Sequence, residues 1–469
     1  MKIDVVPRPV QVDLSHGSFP VADGSVTGPL AAYAAEVLGM RVVESGATVN
    51  LVLGETPTPG GHTIEIVPTG IRVEADATAG LFAAIQTLRQ LATRTPGALP
   101  CLRIEDHPRF AYRGAMLDVA RHFFSVADVK RYIDDIALLK LNYLHLHLTD
   151  DQGWRLEILS RPDLTRRGAT TQVGGANGRT GLFYSQDDYR EIVAYAVSRF
   201  VTIVPEIDIP GHTNAAIVAY PELGETATEP YEGIEVGFSS LAIASEETYA
   251  FVEDVLREVA ALTPGPYLHL GGDESLATSD TDFLLFIARV TSIAAKFGKT
   301  LIGWHEMGRS PDLPAGTVGQ YWSFTTPQEG AAEHTLSFVQ QGGAVILSPA
   351  DVAYLDIKYD ADAELGLLWA NGPTSLEESY RWEPTEIIPG LHESEILGIE
   401  APIWTETITT LDQLQFMAFP RLAAVAELAW SPRGDRSFDE FAPRLSALAR
   451  LWDATGTNYF RAPGVDWPS

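Results

Sequence analysis

Hydrophobic and polar positions follow one pattern in roughly the first hundred residues and a different pattern in the rest of the chain. Near the start, alternating β-branched patterns predict strands, apolar residues at helical spacing predict a helix, and segments containing proline and glycine predict breaks. These features indicate a small N-terminal α+β domain over residues 1–107. The predicted strands are Thr48–Leu53 and Thr63–Ala75, the helix is Thr78–Ala92, and the breaks are Arg94–Pro100 and Asp106–Pro108.

Beyond this domain, apolar strand-like runs alternate with amphipathic helical segments. Repeated βα units with apolar strands predict a parallel sheet, and eight of them fit a (β/α)8 TIM barrel of the α/β class, here over residues 108–469. The alternative is an open doubly wound sheet, which would carry a glycine-rich phosphate turn after its first strand; none is present. The eight predicted strands are Tyr112–Asp118, Tyr143–Thr149, Val201–Ile209, Tyr267–Leu270, Thr300–Trp304, Val318–Trp322, Ala344–Ser348 and Gly398–Trp404.

Polar and aromatic residues occur where these predicted strands end. Side chains at the C-terminal ends of barrel strands line the active-site mouth, so seven of them from separate strands indicate a functional site. The seven residues are Asp118, Asp150, Asp208, Asp273, Trp304, Trp322 and Trp404.

The segment Leu268–Glu274 joins an apolar strand to two glycines and two adjacent carboxylates. The glycines allow another group to approach the backbone closely. Neighbouring carboxylates resist joint ionisation, so one pKa should rise, and carboxyl groups with different pKa values can supply acid and base chemistry. The alternative is a strand followed by a polar turn in which Asp273 caps a helix.

Aromatic residues and one Arg/Asp combination indicate carbohydrate binding. Indole faces stack on sugar rings, although core packing would also explain each tryptophan. Arg121 and Asp150 could grip vicinal hydroxyls as donor and acceptor, although a structural ion pair at the barrel rim is the alternative. The tryptophans at strand ends or in the loops after them are Trp304, Trp322, Trp369 and Trp404.

His145 and His147 form an HxH pair on the inward face of a predicted strand. Barrel hydrolases can use such a pair as zinc ligands, with His212, His269 and Asp273 as further ligands. A zinc hydrolase would need neither four such tryptophans nor a GGDE turn. We therefore favour a supporting, hydrogen-bonded layer beneath the site that includes His147 and His269, and we expect His212, in a loop, to lie near the site.

Composition narrows the class of protein. The chain has 469 residues, one cysteine and a net charge of −29. This charge argues against nucleic-acid partners and anionic membranes, and the single Cys101 excludes an internal disulfide framework or a thiolate metal cluster. No run approaches the ~20 apolar residues of a membrane span, and the N-terminus lacks an apolar signal core, so we expect a cytoplasmic location.

With these residues in view, the chain resembles glycoside hydrolase family 20, the β-N-acetylhexosaminidases, over nearly its whole length. HxGGDE is the most specific of the motifs, and Leu146 departs from the pattern because many members have an aromatic residue there. The matching blocks, in order, are VVPRPVQV, GLFAAIQTLRQL, RGAMLDVARHF, LHLTDDQGWR, PEIDIPGH, HLGGDE, GWHE, QYW, AYLD, WTE and FPRLAAVAELAW.

The resemblance implies an exo-acting, retaining enzyme that uses substrate-assisted catalysis. It assigns Asp273 to orienting the substrate's 2-acetamido group and Glu274 to general acid and base catalysis, with Asp208 and His212 supporting the pair. Tyr354 would bind the acetamido oxygen. Trp304, Trp322, Trp369 and Trp404 would wall the pocket, and Arg121, Asp150, Asp356 and Glu406 would hold the sugar hydroxyls.

The implied partner is a carbohydrate or glycan with a terminal N-acetylhexosamine, and no metal or organic cofactor is expected. The oligomeric state stays open. Two alternatives remain at this point: a disaccharide-releasing member of the same family, and a carbohydrate-binding barrel without turnover.

Overall fold

The structure is a computed structural model that describes residues 3–22, 24–94, 97–226, 228–434 and 436–468. Its N-terminal part is a mixed seven-stranded sheet with two helices, and the strand order is β1-β7-β5-β6-β4-β2-β3. The strands are β1 (Gln11–Pro20), β2 (Ser25–Thr27), β3 (Arg41–Val42), β4 (Val49–Leu53), β5 (His62–Val67), β6 (Gly70–Ala75) and β7 (Ala98–Asp106), and the helices are α1 (Ala31–Leu38) and α2 (Thr78–Arg94).

Two sequence predictions in this sheet are wrong in detail. The alternating run Thr63–Ala75 forms two strands, because Pro68 and Thr69 turn the chain and β5 pairs antiparallel with β6. The break predicted at Arg94–Pro100 is wrong over residues 98–100, where β7 begins and pairs with both β1 and β5. Thr95 and Pro96, in the same prediction, lie outside the described residues.

The remainder of the chain forms a closed barrel in which every neighbouring pair of strands is parallel. The predicted (β/α)8 barrel is confirmed, and the open sheet is excluded. The barrel strands are β8 (Tyr112–Asp118), β9 (Tyr143–His147), β12 (Thr202–Glu206), β13 (Tyr267–His269), β14 (Thr300–Trp304), β15 (Val318–Tyr321), β16 (Ala344–Leu347) and β17 (Ile396–Ala401); β10 (Thr149–Asp150) and β11 (Gly153–Trp154) form a small hairpin after β9.

Helices surround the barrel. Two of them, α3 (Val126–Leu138) and α5 (Gln186–Ser198), begin with capping boxes in which Ser125 and Ser185 bond to Asp128 and Asp188, which satisfies free N–H groups at each start. Among the described residues, no helix combines the length and the apolar composition that a membrane crossing requires. The helices are α3 (Val126–Leu138), α4 (Asp163–Arg166), α5 (Gln186–Ser198), α6 (Asn214–Ala219), α7 (Glu246–Leu262), α8 (Asp280–Ala294), α9 (Ala331–Gln340), α10 (Ala350–Ala353), α11 (Leu376–Arg381), α12 (Leu411–Ala418), α13 (Arg421–Trp430) and α14 (Phe438–Thr455).

The barrel interior changes character along the strands. An apolar layer contains Val204, Ile302 and Val318, and side chains two residues further along the same strands begin a polar and aromatic layer. Strand alternation turns Leu144 and Leu146 of β9 towards the hydrophobic core, while the histidines beside them point into the barrel. The C-terminal end of the barrel is therefore the polar end.

Candidate active site

A tight turn after β13 carries the two adjacent carboxylates. Gly271, Gly272 and Glu274 all have positive φ angles, of 66°, 98° and 42°. A Cβ atom on Gly271 would lie 1.7 Å from Oδ1 of Asp208, and the Gly272 N–H donates to that same oxygen at 3.0 Å. Because the turn packs onto Asp208, it needs glycine at residue 271. The next helix begins only at Asp280, which excludes a helix-capping role for Asp273.

Asp273 and Glu274 differ in environment. Asp273 is buried, whereas the Glu274 side chain is 34% exposed. Burial raises the pKa of Asp273 to about 6, although His212 opposes this shift. Burial is the largest cause that raises the pKa of Glu274, and the negative charge of Asp273 raises it further. At neutral pH, Asp273 is therefore mainly ionised, and its charge helps Glu274 to retain a proton.

His212 lies between this pair and Asp150. Its Nε2 atom is 3.9 Å from Oδ2 of Asp273 and 3.6 Å from Oε2 of Glu274, and its Nδ1 atom is 3.3 Å from Oδ1 of Asp150. Burial lowers the pKa of His212, but Asp150 and then Asp208 raise it well above the usual value for histidine. The ring is therefore a buried cation that balances the surrounding carboxylates.

Arg121 and Asp150 form a buried ion pair with 2.8 Å between Nη1 and Oδ2. The guanidinium also lies over the ring of Trp404, 4.8 Å from its centroid. Burial opposes ionisation of Asp150, but Arg121 and then His212 hold its pKa well below the usual range. The ion pair is therefore a preformed part of the structure, and it lies beside the indole of Trp404.

Five aromatic side chains form a continuous wall. Trp304, Tyr354 and Trp404 belong to one buried cluster, and Trp322 packs against that cluster. Trp369 stands edge-on to both Trp322 and Tyr354, with ring centroids 6.2 and 5.6 Å apart. Because Trp304 is 1% exposed and Trp369 is 44% exposed, the wall runs from the barrel interior to its mouth.

Two further carboxyl groups, Asp356 and Glu406, adjoin Trp404. The backbone N–H of Trp404 donates to Oδ1 of Asp356 at 3.4 Å. Burial and then Glu406 raise the pKa of Asp356 to about 8, and burial also raises the pKa of Glu406 to about 7. Asp356 Oδ2 and Glu406 Oε2 have no hydrogen-bond partner among the described residues. A partly protonated pair of this kind can both donate to and accept from a sugar hydroxyl.

Beneath the wall, the Glu206 carboxylate joins four groups from three strands. It lies 2.5 Å from His147 Nδ1, 3.0 Å from His145 Nε2 and 3.1 Å from His269 Nδ1, and it accepts the Trp304 indole N–H at 2.9 Å. Glu206 is not among the site residues predicted from the sequence. The available signal was its place two residues before Asp208, which puts a charge on the inward face of β12.

The ring nitrogens of the HxH pair, His145 and His147, already have carboxylate partners within the protein. The second nitrogen of His145 lies 2.9 Å from Glu400, and that of His147 lies 2.7 Å from Asp150. Both rings are completely buried. This arrangement fits the supporting layer expected from the sequence better than a pair of zinc ligands.

Two other residues differ from the sequence analysis. Asp118, expected at the mouth, is fully buried and accepts the backbone N–H groups of Ala120, Arg121 and Thr405, so it shapes loops. Glu306 had no predicted role beyond its place in the GWHE block, yet both of its oxygens lie 3.0 Å from the Trp322 indole nitrogen. Burial raises the pKa of Glu306 to about 7, and Glu274 adds to this rise.

The predicted site residues therefore converge at the C-terminal end of the barrel. His147 and His269 lie in the buried layer below, and His269 does not reach the carboxylate pair directly. The residues brought together at or beside the cleft are Arg121, Asp150, Asp208, His212, Asp273, Glu274, Trp304, Trp322, Tyr354, Asp356, Trp369, Trp404 and Glu406.

Comparison with known proteins agrees with this arrangement. Residues 110–433 match the family model described as "Glycosyl hydrolase family 20, catalytic domain", and residues 2–107 match "Glycosyl hydrolase family 20, domain 2". A β-N-acetylhexosaminidase from Cellulomonas fimi is 43% identical over 495 aligned residues, which cover 99% of this chain and 97% of that protein.

Solved structures give the same result. A mutant Streptomyces plicatus β-hexosaminidase in complex with the product GlcNAc is 43% identical, with a TM-score of 0.95 and coverage of 99% of this chain and 98% of that one. The Streptomyces plicatus enzyme in complex with Thio-NAglucal matches with the same TM-score, identity and coverage. The chain therefore belongs to glycosyl hydrolase family 20 and is a glycoside hydrolase.

Proposed function

We propose that this cleft removes single terminal β-linked N-acetylglucosamine or N-acetylgalactosamine residues from carbohydrates, with retention of configuration. The observation that carries the proposal is the Asp273–Glu274 pair beside an aromatic wall. A carboxyl with a raised pKa next to an ionised one is suited to acid catalysis. The GlcNAc bound in the similar Streptomyces plicatus structure supports an N-acetylhexosamine as the substrate.

Catalysis then proceeds in two steps. In the first, the substrate's 2-acetamido oxygen forms a bond to the anomeric carbon, the glycosidic C–O bond breaks, and Glu274 gives its proton to the leaving oxygen. The Asp273 carboxylate accepts a hydrogen bond from the acetamido N–H and balances the positive charge of the oxazolinium-like intermediate. In the second step, Glu274 takes a proton from water, and the water oxygen attacks the anomeric carbon. The bond between that carbon and the acetamido oxygen breaks, which opens the oxazolinium ring and restores the acetamido group. Two inversions give net retention.

The other side chains hold the terminal sugar. Arg121 and Asp150 grip hydroxyls as donor and acceptor, and Asp356 and Glu406 hold others. Tyr354 donates to the acetamido oxygen, and the four tryptophans enclose the acetamido methyl and the sugar faces. The depth of the wall, from Trp304 to Trp369, favours a pocket closed at one end and hence exo action.

The test is hydrolysis of p-nitrophenyl β-GlcNAc against the matching β-glucoside, with and without EDTA. We expect EDTA-insensitive cleavage of the first substrate alone, because the glucoside lacks the internal nucleophile. Equal cleavage of both would overturn substrate assistance. No cleavage of either, with release of disaccharides from longer glycans, would favour a disaccharide-releasing enzyme, and binding of GlcNAc without any turnover would favour a carbohydrate-binding barrel.

A further inference from the structure

We propose that Asp208, His212 and Asp273 form a binding site for a zinc ion, and that zinc bound there competes with the substrate. The site is inhibitory, and it is separate from the mechanism above, in which no metal takes part. The competition with substrate rests on the proposed function, whereas zinc binding itself does not.

Each of the three side chains has an unpaired polar atom. Asp208 Oδ2, His212 Nε2 and Asp273 Oδ1 each have no hydrogen-bond partner among the described residues. All three side chains belong to residues that are more than nine-tenths buried. Buried polar atoms in folded proteins are nearly always paired, so one unpaired atom on each of three neighbouring side chains indicates a ligand. Ligand atoms of these residues lie within 4.8 Å of one another.

The orientation of His212 resembles that of a metal-binding histidine. Metal-binding histidines usually donate their other ring N–H to a carboxylate, which orients the free nitrogen towards the ion. Here Nδ1 lies 3.3 Å from Oδ1 of Asp150, and Nε2 is directed at the carboxylate pair. Oε2 of Glu274, 3.6 Å from Nε2, can provide a fourth ligand. Zinc binding would release the Nε2 proton of the His212 cation to solvent, and the resulting neutral imidazole with carboxylates is a donor set that zinc accepts.

The distances require only a small adjustment. A tetrahedral zinc ion with bonds of about 2.0 Å holds its ligands roughly 3.3 Å apart. His212 Nε2 and Asp273 Oδ2 are 3.9 Å apart, so rotations of the side chains can close the site. Asp208 keeps its Oδ1 on the Gly272 N–H and can still offer Oδ2.

The neighbouring group of Asp150, Asp151 and His212 is less suitable because most of its carboxylate oxygens are already used, although Oδ2 of Asp151 is also unpaired among the described residues. In the group Asp150, Asp151 and His212, the first carboxylate binds Arg121 and His147, and Oδ1 of Asp151 accepts from Ser239 and from the Asn214 N–H. This difference makes Asp151 a matched control: its carboxylate lies 4.0 Å from the opposite nitrogen of the same ring.

The consequence is competition with substrate. The carboxylate of Asp273 is the group that receives the acetamido N–H in the proposed mechanism, and a zinc ion on that carboxylate would occupy the place of this hydrogen bond. Zinc should therefore raise the apparent KM for p-nitrophenyl β-GlcNAc and leave kcat unchanged, and EDTA should reverse the effect.

The test is calorimetric titration of the chelator-treated protein with zinc chloride. We expect one zinc ion per chain, binding weakened about tenfold or more in both His212→Gln and Asp208→Asn, and unchanged binding in Asp151→Asn. Saturating GlcNAc should weaken zinc binding to the wild type, a measurement that needs no variant to fold. Thermal unfolding checks that each variant is native.

Several outcomes would overturn the site. Zinc binding that is equal in the wild type and a folded His212→Gln protein, or that is lost in Asp151→Asn, places the metal elsewhere. Zinc binding that GlcNAc leaves unchanged excludes competition in the cleft. If the protein binds zinc with this pattern but cleaves no N-acetylhexosaminide, the proposed function fails and the metal site stands.

Discussion

At the scale of the residue, Asp273 and Glu274 have different roles because their burial and their neighbouring charges differ. Asp273 is buried beside the cationic ring of His212, and Glu274 extends towards the mouth with the charge of Asp273 behind it. The positive φ of Glu274 stores backbone strain on the order of 1–3 kcal/mol, and such strain is found at functional sites.

Replacing Glu274 with Gln should reduce kcat/KM by about 10²–10⁴-fold for alkyl β-GlcNAc substrates, whose leaving oxygen needs a proton. Aryl substrates with acidic leaving groups should lose much less. Asp273→Asn is the matched variant, and it should impair both classes, because Asp273 acts on the internal nucleophile. A series of leaving groups measures this; equal losses for both classes in Glu274→Gln would contradict the acid role.

The pH profile of kcat/KM should be bell-shaped. Asp273 must be ionised, so activity should fall as the pH drops through about 6, the pKa to which burial raises this carboxyl. Glu274 must be protonated, so activity should fall again as the pH rises through its own raised pKa. Glu274→Gln, assayed with an activated aryl substrate, should lose the alkaline limb and keep the acid limb. An alkaline limb that persists in this variant would assign it to another group.

At the scale of the element, strand ends and the turns after them set the geometry of the cleft. The turn after β13 must pass close to Asp208, which is the second residue after the end of the neighbouring strand β12. Glu206, at the end of β12, bonds to residues of β9, β13 and β14, so one carboxylate links three other strands of the barrel.

Gly271→Ala should abolish most activity and destabilise the fold, because the added Cβ would meet Asp208 Oδ1 at 1.7 Å. Gly298→Ala is the matched control. It has a similar φ of 69° and open space around the new Cβ, so it should cost only about 1–2 kcal/mol of unfolding free energy and leave kcat unchanged. Denaturant unfolding and steady-state kinetics measure both variants, and equal activity in the two would refute the steric argument.

Glu206→Gln should lower kcat/KM on the order of 10²-fold by releasing Trp304 and His147, although Glu206 does not reach the cleft. The matched control is Glu400→Gln: that carboxylate is equally buried, and it bonds to Tyr112, His145 and Gln320 but to no residue of the aromatic wall. Both variants should lose stability, and only Glu206→Gln should raise KM. An unchanged KM in a folded Glu206→Gln protein would reduce Glu206 to a purely structural role.

At the scale of the whole molecule, the N-terminal sheet is attached to the barrel through buried polar contacts. Asp106, the last residue of β7, accepts from the Lys140 ammonium and from the Trp430 indole, both at 2.9 Å. The amide of Gln90 in α2 pairs with the backbone of Val6, which joins the barrel's core cluster. The sheet therefore supports the barrel from outside and contributes none of the cleft side chains described above.

Asp106→Ala should lower the free energy of unfolding by about 3–5 kcal/mol, because it leaves the buried Lys140 without a counter-charge. Lys140→Met added to this variant should recover part of the loss. The matched control is Glu253→Ala, which removes the partner of Lys296 from an exposed ion pair and should cost at most about 1 kcal/mol. Chemical denaturation measures all three, and equal losses for the buried and exposed pairs would refute the argument.

Local pattern was sufficient for much of the fold. Each predicted barrel strand overlaps an observed one, and β8 and β14 have the predicted limits, because apolar periodicity depends only on neighbouring residues. The missed strands of the N-terminal sheet lack that pattern. Most residues of β1 are exposed at the sheet edge, and β3 has two residues, so the pairing that defines them comes from distant strands.

The sequence by itself determined the order of the βα units, the carboxylate pair at a strand end, the glycines beside it and the tryptophans that follow other strands. Only the tertiary structure decided which of these groups meet. Closure of the barrel brings His212 to Glu274 and Glu206 to Trp304, and it forms the Arg121–Asp150 ion pair that the sequence offered only as one of two alternatives. Their separations in the chain are too long for local pattern to report, and the burial that shifts their pKa values exists only once the strands have closed around them.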